Sequence, residues 1–395
     1  MPPIFLASIL LTFPAHEDPG EDWTRWGGPA RTGVTTEGGW RVEGERLWEK
    51  EVGLGYSSVV VCGGAVYTLG FDEKEKVDRV YRLDAETGEV EWVHSYPAEL
   101  MDKAHRGGSL TTPTLDGDVL YVASRKGQLF CLRAGDGEVL WSKDQRKEFD
   151  LELPTWGFAA SPFVDGDRVI MNLGRVIAYD KKTGEVAWKS EDNYGDAYAT
   201  PMDFEYDGEH SLAVFAGDGL AVVDIGSGKE LFHKKWKTRY DINAATPLVF
   251  GNRIFISSGY GKGCSMVELE GGEARDVWSS KVMRSHMSGC VPFGDHLYGF
   301  DEDILKCIDL DGNELWRERG LDKGALAIAD GKLIVLSGDG ELVIAAAAPK
   351  GFEVFSRSEV LDGGVCWTPP VLSGGRIYCR NQAGVLACMD HRRNE

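Results

Sequence analysis

Short apolar runs separated by glycine-containing turns recur along nearly the whole chain, while long stretches of helical periodicity are absent. In TTPTLDGDVLYVAS, AASPFVDGDRVIMN, AATPLVFGNRIFIS and WTPPVLSGGRIYCR, apolar segments flank an Asp-Gly, Gly-Asn or Gly-Gly turn. That alternation is the signal of a β-hairpin. Each hairpin is followed by a third apolar run, a polar turn and an aromatic residue. The copies are LDAETGEVEW ending at Trp92, LRAGDGEVLW at Trp141, YDKKTGEVAW at Trp188, VDIGSGKELF at Phe232, VELEGGEARDVW at Trp278, IDLDGNELW at Trp316 and the degenerate APKGFEVF at Phe355. A period of roughly 40 to 50 residues belongs to propeller blades rather than helical solenoids, so each copy predicts about four short antiparallel strands.

The two ends of the chain complete the count. RIYCRNQAGVLACMD stops at Asp390 before any closing aromatic, whereas GERLWEKEV around Trp48 has no repeat in front of it. Pairing the two fragments makes an eighth unit and hides sheet edges that an open array would expose. The expected fold is therefore all-β: an eight-bladed β-propeller of four-stranded antiparallel blades, its ring closed by N- and C-terminal strands. It spans residues 47–391 as a single domain, after a lead-in at 16–46. Trp48, Trp92, Trp141, Trp188, Phe232, Trp278, Trp316 and Phe355 are expected at equivalent blade-docking positions. Packing between blades explains the motif without chemistry: Asp bonds the turn backbone, Gly supplies positive φ, and the aromatic buries a large surface.

Composition changes the picture in two places. A net charge of −20, with no Lys/Arg-rich run, repels phosphate backbones, so nucleic acid is excluded as a partner. Residues 1–15 read as a signal peptide: Ile4 to Phe13 carries no charge, is too short to span a bilayer, and ends at Pro14-Ala15. An exported protein is expected, periplasmic or extracellular, without a transmembrane segment and monomeric. Cys62 is the first cysteine, which disfavours a lipoprotein.

The repeats resemble the pyrroloquinoline-quinone (PQQ) repeat. The pattern A-x-D-x-x-T-G-x-x-x-W is met by Ala178, Asp180, Thr183, Gly184 and Trp188, and the likeness covers the chain after about residue 45. DWTRWGGPARTG, from Asp22 to Gly33, resembles the lead-in of a group of exported bacterial PQQ-like propellers, with Gly27 where Arg is usual. The resemblance implies two bracketing functions. Quinoprotein alcohol dehydrogenases hold PQQ and calcium on the ring axis, with a catalytic Asp and a disulfide between adjacent cysteines. No Cys-Cys pair occurs here and the chain is much shorter. BamB-like propeller lipoproteins of outer-membrane barrel assembly use the same repeat as a scaffold without cofactor, and this sequence lacks their lipid-anchoring Cys.

Several of the eight cysteines sit where repeats want a small apolar side chain: Cys131, Cys307 and Cys388 align with Ala178, and Cys290 with Pro113, Pro162 and Pro247. If Ala383-Gly384 forms a two-residue turn, Cys379 and Cys388 face each other and a disulfide becomes conceivable. No Cys/His spacing suits a metal, so none is expected. The EKEKVDR insertion, Glu73 to Arg79, reads as a solvated loop.

Propellers commonly bind at the axial face built by loops that enter the innermost strands. The repeat alignment places Tyr56, His105, Arg106, Trp156, Tyr198, Asp241, Asn243, Arg284, His286, Lys323 and Trp367 there. This cationic and aromatic inventory suits an anionic or sugar-like ligand or a peptide. The reading is a non-catalytic exported binding or scaffold propeller that recognises a protein, glycan or small ligand, with no cofactor. The alternative is a PQQ- and calcium-dependent oxidoreductase acting on an alcohol or sugar, with Trp156 or Trp367 stacking on the cofactor and Asp241 or Asp196 as base. No G-x-S-x-G nucleophile motif is present.

Overall fold

The structure is a computed structural model that describes residues 21–103 and 106–393; the signal-peptide reading falls outside them. Eight antiparallel sheets follow one another in chain order. Blades 1 to 7 occupy residues 60–97, 114–144, 163–189, 202–235, 248–280, 291–318 and 325–359. Blade 8 combines Val371–Ser373, Arg376–Arg380 and Val385–Asp390 with the N-terminal strand Glu45–Glu51, so the two ends of the chain close the ring as expected.

The core is a circle of eight apolar layers, one between each pair of neighbouring blades. The repeated motif locks each layer. Asp180 Oδ1 accepts from the backbone of Lys182 and Thr183 at 3.0 and 2.9 Å, closing the turn before the outer strand. Gly184 follows at φ +69°, directly under the indole of the preceding blade's Trp141: a Cβ there would come within 2.8 Å of the ring. Five of the six docking tryptophans donate to a carbonyl of the next blade, Trp48 to Ala85, Trp92 to Ala134, Trp141 to Lys181, Trp278 to Leu310 and Trp316 to Ala348, all at 2.8–3.1 Å, whereas the Trp188 Nε1 is buried without an acceptor among the described residues. A buried donor is costly when left unpaired, and at those five positions the next blade's turn supplies the acceptor.

Blade 7 departs from the expected alignment. Phe352 is an extra residue after Gly351 and shifts the outer strand by one, so Ser356, not Phe355, stands opposite Ile344 at the tryptophan position. Phe355 falls in the bulge and is 43% exposed. The lead-in replaces the missing indole: the backbone N–H of Arg41 donates to His391 O at 2.6 Å, Ser356 Oγ donates to Val42 O, and Trp40 is buried in the layer between blades 7 and 8.

Two other expectations change. The turn after Arg376–Arg380 is one residue longer than two, because Asn381 Oδ1 accepts from the backbone N–H groups of Gly384 and Val385. Cys379 therefore faces Ala387 and Cys388 faces Tyr378, on opposite sides of the blade. Both are free thiols in different apolar layers, and a one-residue register step always has this effect. The EKEKVDR stretch is not all solvated. Asp78 is buried and holds the buried Arg125 of blade 2 at 2.7 and 3.0 Å, with Ser109 Oγ at 2.9 Å.

The lead-in reaches every blade. Trp23 exchanges backbone hydrogen bonds with Val61 of blade 1 at 2.8 and 2.9 Å, and Thr24 O accepts from Leu115 of blade 2. Arg31 lies over Phe163 and donates to Val164 O of blade 3, and it meets Asp203 of blade 4 at 3.5 Å. Trp26 Nε1 donates to Thr246 Oγ1 ahead of blade 5, while Gly33 packs against Val291 of blade 6. Val34–Thr35 then adds a parallel strand inside blade 7, and the Glu37 carboxylate accepts from Gly374 and Gly375 of blade 8. The axis is thus filled by the chain's own N-terminal segment.

Candidate functional site

Above that segment the axis opens into a cup of about 350 Å³. Its wall comes from the loops that lead into the innermost strands, for a geometric reason. Those strands converge on the axis, so the residues just before them crowd together, and their differences from blade to blade shape one surface. Trp156 and Tyr198 meet edge to face at 6.3 Å, and Tyr56 stacks on Trp367 at 5.4 Å with an interplanar angle of 11°. Tyr260 and His286 sit 4.3 Å apart, and Trp26 of the lead-in forms part of the lining. Leu110, Ile242 and Met287 add aliphatic surface.

Of the residues expected at this mouth, Tyr56, Trp156, Tyr198, His286 and Trp367 line the cup. The others lie elsewhere. Arg284 makes a two-pronged contact with Asp301 at 2.6 and 2.9 Å, and Lys306 reaches the same carboxylate at 2.7 Å. Burial pushes the Asp301 carboxyl up, but Arg284 and Lys306 more than offset it and hold it below the usual carboxylate range. Lys323 donates to His286 Nδ1 at 3.1 Å, which places the imidazole proton on Nε2, and Glu302 stands 3.6 Å away. Arg106 pairs with Glu73, and its carbonyl accepts from Tyr56. Asp241 is exposed at φ +54° and faces Lys237 at 3.6 Å. Asn243 is buried as a brace, donating to Ala216 O and Trp236 O and accepting from Ser258. His105 lies outside the described residues.

Two contributors were not anticipated at the mouth. Trp26 belongs to the lead-in motif, whose two tryptophans match no blade position; that mismatch was the available signal. Tyr260 comes from the turn between Arg253–Ser258 and Gly263–Glu270 and adopts φ +55°, which its sequence setting Gly-Tyr-Gly only hints at. Asp196, considered earlier only as a base, accepts from Tyr198 Oη at 3.1 Å at the edge of the cup. Burial first, then Asp196, raises the Tyr198 phenol above its ordinary pKa; burial and Asp102 do the same for Tyr56.

The residues can be tested against PQQ with calcium. The cup offers ring faces for stacking, but its lining contains no Lys, Arg, Asp or Glu to meet three carboxylates or a divalent cation. Among the described residues no cluster of three His, Cys, Asp or Glu could hold a metal ion. The donor set does not fit a calcium-bound quinone.

Eight blades of this repeat, closed by the chain termini around an axial cup, define a propeller of the PQQ-repeat class. The chain belongs to the family described as outer membrane protein assembly factor BamB, whose model matches residues 78–311 and 300–394. It is 24% identical over 332 residues to the BamB of Shewanella oneidensis, covering 77% of this chain and 78% of that one. It is 26% identical over 239 residues to the quinohemoprotein alcohol dehydrogenase ADH-IIG of Pseudomonas putida, covering 50% of this chain and 29% of the relative. The crystal structure of BamB from Moraxella catarrhalis superposes with a TM-score of 0.65 at 16% identity, over 89% of this chain and 99% of that one. The chain spans 27% to 33% of the length of three of the curated relatives it matches. Among the described residues no helix is long and apolar enough to cross a membrane.

Proposed function

We propose that the protein is a non-catalytic binding propeller that works outside the cytoplasm and captures a ring-sized apolar group of its ligand in the axial cup. The observation that carries this reading is the lining: mostly aromatic and aliphatic side chains, with Ser161, Thr200, Thr246, Thr368 and His286 between them, around about 350 Å³, and Trp26 of the chain's own lead-in among them. Pockets of this size and polarity gain affinity by burying apolar surface. The apolar run from Ile4 to Phe13 supports export, as does the name of the BamB relatives.

The test uses the neutral fluorophore N-phenyl-1-naphthylamine. It should brighten on binding at one site per chain, and a Trp156→Ala/Trp367→Ala variant with unchanged far-UV circular dichroism should lose that signal. Absence of saturable binding would overturn the reading. The oxidoreductase alternative draws on Asp196 beside Tyr198. Stoichiometric PQQ and calcium binding with dye reduction in the presence of an alcohol would favour it over ours.

A further inference from the structure

The cationic residues of the sequence inventory do not form the wall of the cup. Arg284, Lys323 and Arg106 all face carboxylates and none of them lines the cup. The lining presents instead the rings of Trp26, Tyr56, Trp156, Tyr198, Tyr260 and Trp367. Aromatic faces carry the negative side of the ring quadrupole, so a group of them attracts a cation placed over them, most strongly where water is excluded. Asp196 does not line the cup but brings a carboxylate against Tyr198, which does. Its carboxylate is anchored by Tyr198 Oη at 3.1 Å, and among the described residues it meets no cation. Glu302 of blade 6 stands 3.6 Å from Lys323, the residue that bonds His286. The chain's net charge of −20 draws cations toward the whole molecule.

We propose that the cup is a cation-binding cage for a small quaternary ammonium compound, with the indole and phenol rings as its walls and Asp196 as the counter-charge. This rests on the reading of the cup as a binding site and narrows its ligand class. The chemistry of the wall selects among cations. An inorganic ion needs several oxygen ligands, and no such cluster is present among the described residues. A hydrated primary ammonium needs acceptors for its protons, and the Ser161, Thr200 and Thr246 hydroxyl oxygens of the lining already accept from Thr112 N–H, Ser161 N–H and Trp26 Nε1. An alkylated ammonium has no N–H to satisfy and presents methyl groups to the rings, so it gains cation–π attraction and apolar burial together.

The probe is choline chloride, compared with its uncharged carbon isostere 3,3-dimethylbutan-1-ol by calorimetric titration at matched ionic strength. The isostere has nearly the same shape and lacks only the charge. Choline should bind about ten- to thirtyfold more tightly, the ratio expected of desolvated cation–π contacts. Asp196→Asn should weaken choline several-fold while leaving the isostere unchanged, and Trp156→Leu should reduce the ratio between the two ligands. Equal affinity for both, or no binding of choline, overturns the proposal. The wild-type comparison depends on no variant folding. Fluorophore binding without choline preference would sink only the cation cage, whereas loss of fluorophore binding would sink the underlying reading.

Discussion

Replacing Trp23 by alanine tests whether the lead-in is part of the fold or an accessory laid on it. The side chain is 2% exposed and packs in the layer between blades 8 and 1 with Trp48, Val61, Leu83 and Val371. A buried indole removes roughly 200 Å² from water, which at about 25 cal/mol per Å² is about 5 kcal/mol. A denatured chain that already hides part of its apolar surface lowers this to about 3–4.5 kcal/mol, in line with the ~3–5 kcal/mol typical of Trp→Ala in a core. The backbone pairing of Trp23 with Val61 needs no side chain, so the loss reports the ring alone. Urea unfolding followed by far-UV circular dichroism should show a lower midpoint at unchanged slope. Trp26→Ala is the control: its ring is only half-buried and keeps one hydrogen bond to Thr246, so it should cost less than about 2 kcal/mol while weakening ligand capture. A loss below about 1 kcal/mol for Trp23→Ala, or equal losses for the two variants, would refute a lead-in built into the ring.

The closing seam should be acid-labile. Asp390 is drawn down to about pKa 2 by hydrogen bonds from Arg392, and Glu86 of blade 1 is lowered by Arg392 and Arg376. The folded pKa lies below the ordinary 3.8, so the unfolded chain takes up the proton first. This contribution is therefore intact above about pH 4 and lost as pH falls toward 2, and Arg392→Gln should flatten that part of a midpoint-against-pH curve. The inter-blade lock is tested by a pair of glycines that both have positive φ. A Cβ at Gly117 meets nothing within 4 Å, and one at Gly184 comes 2.8 Å from the Trp141 ring. Gly117→Ala should cost about 1 kcal/mol and Gly184→Ala about 1–3 kcal/mol more in the same unfolding assay; equal costs would remove the clash from the account.

Blade number, ring closure and most docking positions were readable because each repeat solves the same packing problem with the same residues. A tryptophan over the next blade's glycine leaves a mark once per period. The failures come where one residue changes the count. Phe352 adds a position after Gly351 and moves Ser356 into the tryptophan's place. Asn381 lengthens a turn and puts Cys379 and Cys388 on opposite faces. In both cases composition was unchanged and only register moved, to which a motif scan is blind. The lead-in was invisible for another reason. Its partners Val61, Leu115, Val164, Asp203, Thr246, Val291, Ile328 and Gly374 are scattered over the whole chain, and no local pattern encodes a segment whose contacts are all distant.

The same limit hid which charged side chains reach the cup. Sequence position shows which loop carries a cation but not which carboxylate faces it. Asp301, which neutralises Arg284, lies at the end of a strand in blade 6, and Glu73, which pairs with Arg106, comes from the extended hairpin of blade 1. Once those pairs form, their fields largely cancel at the distance of the cup, because opposite charges about 3 Å apart act as a dipole whose potential decays faster than that of a single charge. Asp196, among the described residues, is tied to the Tyr198 phenol and to no cation. An inventory rich in Arg, Lys and His thus folds into a cup lined mostly by aromatic rings, and the charge of its ligand has to be argued from the groups that line it rather than from the residues counted.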